Sequence, residues 1–383
     1  MKWNREIDRN NNRQHFSGKT PAGEYKELLA PVYVGDDRYE LYDILSEAGG
    51  FGIIYRAKDT RLNNHEVLIK SRRYDNEPGL FSFQYDNTRE SKIEKIREKT
   101  LFEAECLKMF KQNRESRMPI LNDVVEGFSP TIYGPHKDSS GENYYIEDEY
   151  IYYEPYIVMQ VVEGVNLGDY IKNGIEFIVK KRNYRSYFEW ERTVLEYAKE
   201  LATIFIEFHR PRQEGNNSFY YVYQDLKPDN IILSNDRFIT LLDFGGITKI
   251  KIKERKNQNG EAETYTETSI GSPGLGTFGF QAPEARNSAM IKNLDHRCDI
   301  YTLGATIYQL LTGFDFADIL ETEDTEIPLE KSLKGVCSEA TYSFLQKCLQ
   351  RDREKRFSSM QELRTEILMN CFESVKAEIR RYY

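Results

Sequence analysis

The chain has 383 residues, which is long enough for two packed lobes and a large core. Its 53 Lys and Arg residues against 62 Asp and Glu residues give a formal net charge of -9 at pH 7, which argues against nucleic acid or an acidic membrane surface as a partner. Hydrophobic residues make up 39% of the chain and aromatic residues 13%, so the composition excludes an intrinsically disordered protein.

The cysteines and the amino terminus favour a soluble intracellular protein. The cysteines are widely scattered without a CxxC pair, so we expect neither a disulfide framework nor a zinc site: Cys106, Cys298, Cys337, Cys348 and Cys371. Residues 1–19 lack the apolar core of a secretory signal, and no window holds about 18 uninterrupted apolar residues. We therefore expect reduced thiols and a cytoplasmic location.

The sequence patterns change twice along the chain. Residues 1–36 are polar and Asn-rich without clear periodicity, which predicts a flexible extension or a strap on the domain surface. From Tyr39 to Val162 the patterns predict mostly strands and one helix, whose clearest part is LFEAECLKMF at 101–110. From Leu167 onward apolar residues recur at helical spacing. This order predicts an α+β fold in which a small β-rich lobe precedes a larger helical one.

Two polar insertions interrupt the first of these regions, at residues 76–99 and 134–150. Both carry charges at a density that would be costly to bury. We therefore expect both to be surface excursions.

A glycine-rich stretch between two strand-like runs is the first candidate site: Glu47, Ala48, Gly49, Gly50, Phe51 and Gly52. Glycine has no Cβ, so the backbone can bend tightly and turn its N–H groups towards phosphate oxygens. A plain hairpin turn is the alternative interpretation of this stretch.

Two strand ends and one loop carry the other candidates. Lys70 ends the apolar strand VLIK, where the alternative is a lysine that extends into solvent. Asp243 ends the apolar strand of LLDFG and offers a hard carboxylate ligand for Mg²⁺, although such a sequence can also be only a turn. The loop YQDLKPDN at 223–230 holds Asp225, Lys227 and Asn230 immediately before the apolar run IIL.

The order of these motifs resembles that of the eukaryotic-type (Hanks-type) protein kinase family over residues 39–368. The motifs are the glycine stretch, the strand lysine, a helical glutamate, DxKxxN and DFG. The chain looks like the Ser/Thr branch and is similar to soluble bacterial Ser/Thr kinases. The resemblance implies a bilobal α+β kinase fold. The implied parts are an N-terminal extension 1–36, a kinase domain 37–370 with an N-lobe 37–162 and a C-lobe 163–370, and a helical C-terminal tail 371–383.

The resemblance also implies a binding site for the phosphates of ATP. Lys70 would hold the α- and β-phosphates, with Glu103 as its ion-pair partner. Glu105 is the rival for that role, but the family has a hydrophobic residue four places after the glutamate, and Leu107 fits Glu103.

The chemical step would be carried by the loop and the DFG motif. By carry-over, Asp225 would accept the proton of the substrate hydroxyl and Lys227 would neutralise the moving phosphoryl group. Asn230 and Asp243 would hold Mg²⁺. The expected acceptor is a Ser or Thr hydroxyl of a protein substrate, with neither nucleic acid nor membrane as a partner.

Further family positions can be assigned to the nucleotide. Met159 would stand at the back of the adenine pocket, and the backbone of Gln160 to Val162 would hydrogen-bond the adenine edge, although any edge of a buried strand presents the same groups. The full implied set for ATP is Glu47, Ala48, Gly49, Gly50, Phe51, Gly52, Ile54, Leu68, Lys70, Met159, Gln160, Val162 and Ile232.

Three supporting contacts are implied as well. Glu284 in QAPE matches the APE element and would pair with Arg356, where unrelated surface charges are the alternative. Asp299 would support the catalytic loop, and Thr277 would bridge the catalytic aspartate and lysine and help to seat the acceptor peptide.

The sequence departs from the family pattern at four places. Glu47, or Ser46 if one residue is inserted, replaces the first glycine of the loop, and Leu68 replaces the usual alanine against the adenine. Tyr223 and Gln224 replace the His-Arg pair before the catalytic aspartate, and the stretch 208–222 is longer than usual. An active protein kinase, a pseudokinase that acts as an interaction module, and a small-molecule phosphotransferase of the aminoglycoside type remain as function classes.

The polar segment between Asp243 and Glu284 carries hydroxyl residues that resemble autophosphorylation sites: Thr264, Thr266, Thr268, Ser269 and Ser272. In many family members an arginine before the catalytic aspartate grips a phosphate there, but Gln224 lacks that charge. We therefore expect phosphorylation not to be an obligatory switch. The alternatives are an ordinary solvated loop, or a phosphate bound by Arg72 or Arg73 instead.

Overall fold

The computed structural model describes all of the chain except residues 1, 20–24, 47–51, 73–87, 112–117, 129–131, 135, 138–142, 145–152, 236–237, 257–261, 272–273, 275, 287–288 and 323–326. The chain forms two compact units, the first over Met1–Gln112 and Pro119–Val161 and the second mainly over Val162–Tyr383. This division lies one residue from the lobe boundary expected from the sequence. Within the described residues, no helix has both the length and the apolar character needed to cross a membrane.

The first unit consists mostly of strands and contains one long helix. Its elements are β1 Asn4–Asp8, β2 Arg13–Lys19, β3 Tyr25–Pro31, β4 Tyr33–Val34, β5 Tyr39–Ser46, β6 Ile53–Asp59, β7 His65–Ser71, α1 Thr88–Lys111, β8 Leu121–Phe128, β9 Ile132–Gly134, β10 His136–Lys137, β11 Asn143–Tyr144 and β12 Tyr153–Gln160. Six strands form a sheet in the order β4-β5-β6-β7-β12-β8, in which every neighbouring pair is antiparallel.

Alternating side chains give the six-stranded sheet its core face. In β6, Ile53, Tyr55 and Ala57 are fully buried, while the residues between them are more exposed. Neighbouring strands bury further apolar residues in the same cluster, among them Leu41, Ile69, Tyr156 and Val158. Strand β7 pairs with β6 on one edge and with β12 on the other. These two pairings hold the backbone of Lys70 in place.

Part of the amino-terminal segment 1–36 is a sheet, so the expectation of a flexible extension is wrong for the described residues. Strands β1, β2, β3 and β9 pair antiparallel in that order. Phe16 of β2 and Leu28 of β3 are fully buried in the core cluster of the first unit. The side chain of Gln14 donates to the backbone oxygens of Pro31 at 2.6 Å and Leu41 at 3.1 Å. The period-two burial of RQHFSGK was hidden by its polar composition.

Helix α1 is longer than the sequence pattern predicted. It begins at Thr88 rather than near residue 101, so the end of the first insertion is helical and not a loop excursion. One row of buried residues recurs three or four positions apart, at Ile93, Ile96, Thr100, Glu103, Leu107 and Phe110, and Phe102, Ala104 and Cys106 widen the buried face. Among the described residues of the insertion, Glu94, Lys95 and Glu98 are exposed on the other side of the helix.

The second unit is mainly helical and carries two small sheets. Its strands are β13 Val165–Asn166, β14 Arg212–Glu214, β15 Asn217–Val222, β16 Ile231–Leu233, β17 Ile239–Leu241, β18 Thr248–Lys256 and β19 Ala262–Gly271. Its helices are α2 Leu167–Ile171, α3 Ile175–Lys181, α4 Tyr187–Phe208, α5 Pro283–Arg286, α6 Arg297–Thr312, α7 Phe316–Ile319, α8 Leu329–Leu333, α9 Glu339–Cys348, α10 Met360–Glu366 and α11 Phe372–Arg380.

Two long helices form the centre of the second unit. Helix α4 begins after Ser186, whose backbone N–H donates to Glu189 Oε2 in the first turn at 3.3 Å. Its Trp190 is fully buried, and the indole Nε1 donates to the backbone oxygen of Leu310 in α6 at 2.7 Å. Helix α6 is buried almost all round and ends at Gly313 in the left-handed conformation. The packing of these helices supports the loop that precedes β16.

The stretch 208–222 and the polar segment after Asp243 fold together into a four-stranded antiparallel sheet, in the order β14-β15-β18-β19. The alternative of an ordinary solvated loop is therefore wrong for the described residues. In β18, lysines alternate with Ile250 and Ile252, and Ile250 is fully buried. The charged residues dominate the sequence, but the isoleucines on one face form the strand's core contact.

The expected helical tail 371–383 continues the preceding helix without a break. A π-helical turn, Ile367–Cys371, joins α10 to α11. Val375 of α11 is fully buried, and the hydroxyl of Tyr383 donates to Glu189 Oε1 of α4 at 3.0 Å. These residues are thus an integral part of the second unit.

Candidate active site

Lys70 and Glu103 form a buried ion pair inside the first unit. Lys70 lies on β7, in register with Ile54 of β6 and Ile157 of β12, and Glu103 lies on the inner face of α1. The Lys70 Nζ donates to Glu103 Oε1 at 2.6 Å, with the two side chains 5% and 2% exposed. Glu105, the rival for this contact, is exposed on the outer face of the helix.

Arg72 is a second cation on the same carboxylate. Its NH2 group donates to Glu103 Oε2 at 2.8 Å, and its side chain is 10% exposed. Arg72 lies two positions after Lys70 on an extended chain, so both side chains point to the same face. Arg72 was expected only as a substitute phosphate ligand, and its spacing from Lys70 indicates only that the two side chains share a face.

The other nucleotide-binding residues expected in the first unit lie on its central strands. Ile54 pairs with Lys70, and Leu68 is in register with Met159 of β12. The backbone N–H of Gln160 donates to Ile120 O at 2.9 Å, so this N–H is not available to an adenine edge. Residues 47–51 of the glycine stretch lie outside the described residues.

Gly52 is the described residue of the glycine stretch. A Cβ at this position would lie 2.1 Å from the backbone oxygen of Ser71, which is closer than real Cβ contacts allow. Close approach of two strands therefore requires glycine here. This observation explains the residue type without invoking a ligand.

The catalytic-loop residues of the second unit meet in one hydrogen-bonded cluster. Asn230 Nδ2 donates to the backbone oxygen of Asp225 at 2.8 Å and to its Oδ2 at 3.1 Å. Thr277 Oγ1 donates to Asp225 Oδ1 at 2.7 Å, and Lys227 Nζ donates to Thr277 Oγ1 at 2.6 Å. Lys227 Nζ also lies 3.4 Å from Asp225 Oδ2. The bridge expected through Thr277 is present.

The environment of Asp225 raises the pKa of its carboxyl. Burial is the main cause, since Asp225 is 1% exposed, and the nearby Asp243 carboxylate adds to the rise. The charge of Lys227 and the hydrogen bonds from Thr277 and Asn230 oppose the rise. A carboxylate with a raised pKa is a stronger base than an exposed aspartate.

Asp299 of α6 holds the backbone of the catalytic loop. Its carboxylate accepts from the N–H groups of Tyr223 at 3.0 Å and Gln224 at 2.8 Å, and it also contacts His209 Nε2 at 2.9 Å. Gln224 has φ +69°, a left-handed conformation that costs a non-glycine residue about 1–3 kcal/mol. The fixed acceptor at Asp299 helps to maintain this strained turn.

Tyr223 fills the space next to the loop. Its ring packs against Phe205, Phe208 and Phe244, and its hydroxyl donates to the backbone oxygen of Leu242. The sequence analysis recorded Tyr223 only as a departure from the family pattern. In the structure, its aromatic contacts join the catalytic loop to the residues around Asp243.

Asp243 lies at the end of β17, close to Asn230. The backbone N–H of Leu242 donates to Asn230 O at 2.8 Å, which ties the two segments together. Asp243 has φ +53°, which aspartate tolerates better than most residues, and its Oδ1 accepts from Gly245 N at 3.0 Å. Ile232 of β16, next to this region, pairs with Asn166 and Thr240, and Val162 precedes β13 in the same unit.

The donor atoms of Asn230 and Asp243 are those that Mg²⁺ prefers. The Asn230 amide nitrogen is committed to Asp225, so the atom it offers to a cation is its carbonyl oxygen. In the described part of the chain, no group of three or more His, Cys, Asp or Glu residues could hold a metal by itself. Mg²⁺ at a nucleotide site uses only one or two carboxylates together with phosphates and waters, so the residues fit this type of site.

Glu284 and Arg356 form the ion pair expected from the sequence. Arg356 NH1 and NH2 donate to Glu284 Oε1 at 2.6 Å and Oε2 at 2.8 Å, and both side chains are almost fully buried. Arg356 also donates to the backbone oxygens of Gln350 and Arg297. A bidentate pair with these extra partners holds the segment after Thr277 against α6.

Comparison with known families supports the assignment of the second unit. The family described as the protein kinase domain matches residues 144–368, which is more than half of the chain. The match contains the cluster around Asp225, Asp243 and the Glu284–Arg356 pair. It begins after Lys70 and Glu103, so their assignment depends on the sequence motifs and on the ion pair.

Curated relatives are similar over about half of the chain. The serine/threonine-protein kinase Sgk1 of Gallus gallus is 30% identical over 212 residues, which cover 53% of this chain and 41% of the chicken protein. The serine/threonine-protein kinase cds1 of Schizosaccharomyces pombe is 28% identical over 222 residues, 55% of this chain and 40% of the yeast protein. The chain thus spans less than half the length of these relatives. Similarity to bacterial kinases in particular stays a prediction.

Proposed function

Since this chain belongs to the protein kinase family, we propose that it transfers the γ-phosphate of ATP to Ser or Thr hydroxyls of a protein substrate. The observation that carries the proposal is the cluster in which Thr277 joins the Asp225 carboxylate to the Lys227 ammonium. A base for the hydroxyl and a cation for the phosphoryl group are thereby held together in one loop.

Asp225 is proposed as the acceptor of the proton. The substrate hydroxyl oxygen forms a bond to the γ-phosphorus, and the bond from that phosphorus to the β,γ-bridging oxygen breaks, so that ADP leaves. The hydroxyl proton passes to the Asp225 carboxylate. The raised pKa of this carboxyl suits the role, because a base works best when its pKa approaches the working pH.

Lys227 and Thr277 are proposed to complete the acceptor site. The Lys227 ammonium neutralises charge on the phosphoryl group during transfer, where a fixed cation in a partly buried site acts strongly. The Thr277 hydroxyl fixes both side chains and places the backbone at 277 beside the acceptor. The lysine at this position is the feature of the resemblance that favours Ser and Thr acceptors.

Lys70 is proposed to bind the α- and β-phosphates of ATP. Glu103 orients its ammonium, and Arg72 shares the carboxylate, so Glu103 keeps a cation partner while Lys70 contacts phosphate. A lysine acts on phosphate as a compact point charge, which suits this role.

Asn230 and Asp243 are proposed to hold Mg²⁺ through their side-chain oxygens. When bound, the metal neutralises phosphate charge and helps to orient the phosphates. The loop residues do the remaining work, since Asn230 also hydrogen-bonds the Asp225 carboxylate and so limits its movement.

The proposal includes two finer points. The candidate autophosphorylation sites are Thr264, Thr266, Thr268 and Ser269 of β19, together with Ser272, which lies outside the described residues. A cytoplasmic setting is favoured because the five cysteines are scattered along the sequence without a CxxC pair, a usage that is common in a reducing compartment.

The test is transfer of label from ATP labelled on the γ-phosphate to casein by the purified full chain with Mg²⁺, followed by phosphoamino-acid analysis. We expect label on serine and threonine, and loss of at least about 100-fold of the rate in Lys70→Met, because the neighbouring cation, Arg72, is held by Glu103 Oε2. Lys99→Met, on the same helix as Glu103, is the control that keeps activity. Bound ATP without transfer would favour a pseudokinase, and label on tyrosine alone would contradict the Ser/Thr assignment.

A further inference from the structure

The side chain of Gln224 contacts both ends of residues 246–274, here named the hairpin segment because they contain β18 and β19. Its Nε2 donates to Gly246 O at 2.7 Å and to Thr248 Oγ1 at 2.8 Å. Its Oε1 accepts from the backbone N–H of Gly274 at 2.9 Å. Gln224 is 2% exposed, so these hydrogen bonds are shielded from water. One amide therefore joins the start and the end of the segment to the catalytic loop.

Gly274 is held in one backbone conformation. Its φ is +76°, and a Cβ there would lie 2.0 Å from Ile291 Cδ1 and 2.9 Å from Ala285 O. Its carbonyl oxygen accepts from Gln281 Nε2 at 2.6 Å, while its N–H is bound by Gln224. Only glycine adopts this conformation at low cost in such a close space. The end of the hairpin segment is thus fixed on both of its backbone polar groups.

Thr277 follows Gly274 by three residues. Its hydroxyl bridges Asp225 and Lys227, so the position of its backbone decides whether the bridge can form. Gln224 and Asp225 are neighbours in the chain, so the loop binds the segment at Gly274 and meets it again at Thr277. The two contacts close a small ring of covalent and hydrogen bonds around the proposed base.

The described residues of β18 are held by main-chain pairing and by a core. Strand β18 pairs with β15 from Ser218 opposite Ile252 to Val222 opposite Thr248. Ile250 and Val222 are fully buried in a cluster that also contains Ala282. Lys249 of β18 forms an ion pair with Glu214 of β14 at 2.6 Å, so its charge is balanced by a group of the unmodified chain, and the Gln224 amide is neutral.

We infer that Gln224 is a positioning residue that sets Thr277 through Gly274, and that the hairpin segment is ordered for transfer without a phosphate on it. The inference deepens the proposed function and depends on it, because Thr277 matters for transfer only if Asp225 is the base. The physical basis is that a neutral amide needs no anion, and that the partners described for it, Gly246, Thr248 and Gly274, are all groups of the unmodified chain.

The competing explanation is that Gln224 only satisfies buried polar groups and so contributes to stability alone. The two explanations differ in catalysis. A positioning role affects the acceptor side, through Thr277 and Asp225, and leaves ATP affinity unchanged. A purely structural role lowers the amount of folded protein and leaves the constants of the folded fraction as they were.

The experiment compares Gln224→Met with the parent and with Gln213→Met, an exposed glutamine on β14 of the same sheet. Methionine keeps the length of the side chain and removes all three hydrogen bonds. In folded Gln224→Met we expect kcat/KM for a protein acceptor to fall by about tenfold or more, with the Kd for ATP within about twofold, because the lost contacts act through the acceptor side. Unchanged kcat/KM at full folding would overturn the inference.

Hydrogen exchange provides a readout that does not require activity. The peptide that contains Gly274 and Thr277 should exchange faster in Gln224→Met, while peptides of α4 should be unchanged. If the parent shows no transfer at all, the proposed function fails, and exchange at Gly274 still decides whether Gln224 holds the segment. Equal exchange in parent and variant would overturn the inference on its own.

Thr248→Val covers the case in which Gln224→Met does not fold. It removes one acceptor of the Gln224 amide with little change of shape. We expect the same pattern at smaller amplitude, with kcat/KM reduced and ATP affinity kept. No change in either exchange or kcat/KM would overturn the inference.

A further experiment tests whether a phosphate on the hairpin segment is required. It uses a variant in which five hydroxyl residues of the segment are changed to Ala: Thr264, Thr266, Thr268, Ser269 and Ser272. We expect this variant and the phosphatase-treated parent to phosphorylate casein within about threefold of the untreated parent, because none of the ordering contacts requires a phosphate. Loss of activity to the level of Asp225→Asn would show that a phosphate is required and would overturn the inference.

Discussion

Thr277 donates its hydroxyl to Asp225 Oδ1 at 2.7 Å although 52 positions separate the two residues in the chain. The hydroxyl oxygen of Thr277 also accepts from Lys227 Nζ at 2.6 Å. A single hydroxyl therefore sets the geometry of the proposed base and of the proposed phosphoryl-binding cation. The position of this hydroxyl depends on the hairpin segment and on Gly274. The conformation of that segment therefore determines the geometry of the proposed active site.

Thr277→Val keeps the shape of the side chain and removes the bridge. We expect kcat/KM to fall by about 10- to 100-fold, since a hydrogen bond to a charged group contributes about 1.5–3 kcal/mol. The hydrogen bond from Thr277 lowers the pKa of Asp225, so its loss should move the acid limb of the pH profile to higher pH. Steady-state rates measured from about pH 5 to about pH 9 report both the loss of kcat/KM and the shift of the acid limb. Thr277→Ser should restore most of the rate, and an unshifted profile in Thr277→Val would argue against the bridge.

Asp243→Asn tests the metal site. Asparagine tolerates the left-handed conformation that Asp243 adopts, so the fold should be kept while the charge of the ligand is lost. We expect ATP binding in a calorimetric titration to lose its dependence on Mg²⁺, because no local carboxylate substitutes for a hard ligand. Asp318→Asn, at an exposed position of α7, should behave like the parent. Full Mg²⁺ dependence in Asp243→Asn would refute the assignment.

Arg356→Met tests the buried ion pair. Removing the arginine leaves the Glu284 carboxylate buried without its partner, which should lower the free energy of unfolding by about 3–5 kcal/mol. The double variant Arg356→Met with Glu284→Met should be more stable than the single one, since neither charge remains. Arg381→Met breaks an exposed pair with Glu378 and should cost at most about 1 kcal/mol. Urea unfolding measures all three, and a single variant as stable as Arg381→Met would contradict the prediction.

Glu191 should make stability depend on pH. Burial raises the pKa of Glu191 from 4.5 to about 7, against hydrogen bonds from Ser338 that lower it. The folded protein therefore holds a proton that the unfolded chain releases, and this contribution to stability is present below about pH 4.5 and is lost as the pH rises through about 7. In Glu191→Gln the contribution is absent, so the stability of the parent relative to the variant should fall across this window. Urea unfolding at a series of pH values measures the difference, and a constant difference would contradict the assignment.

Much of the candidate site could be predicted because its residues are close in sequence. Asp225, Lys227 and Asn230 lie in one loop, and Glu103 was preferred to Glu105 because the family has a hydrophobic residue four places after the glutamate, which is Leu107 here. Long-range contacts such as that of Thr277 were predicted only through the family resemblance, since spacing alone carries no information on them. Hydrophobic periodicity did not predict strands in which the buried face carries few apolar residues among many polar ones.

Two segments show why. In β2, Phe16 is the large apolar side chain among buried residues that also include Gln14, and the rest of the strand is mostly polar; in β18 the buried Ile250 lies between lysines. Both strands are stable because neighbouring strands supply the pairing and the core, which is tertiary information. The contact of Arg72 with Glu103 was missed for a similar reason, since it requires the strand and the helix to be placed together.

The central claim is that Asp225 is the base of phosphoryl transfer, and Asp225→Asn with Asp229→Asn as its matched control tests it most directly. Asp229 is an exposed carboxylate in the same loop, so the control changes the charge without touching the cluster. With ATP affinity and label transfer measured on the same preparations, we predict that Asp225→Asn binds Mg-ATP within about threefold of the parent and loses transfer by about 100- to 10,000-fold, the usual contribution of a general base. Asp229→Asn should retain both properties. Transfer by Asp225→Asn at a rate close to that of Asp229→Asn would contradict the account.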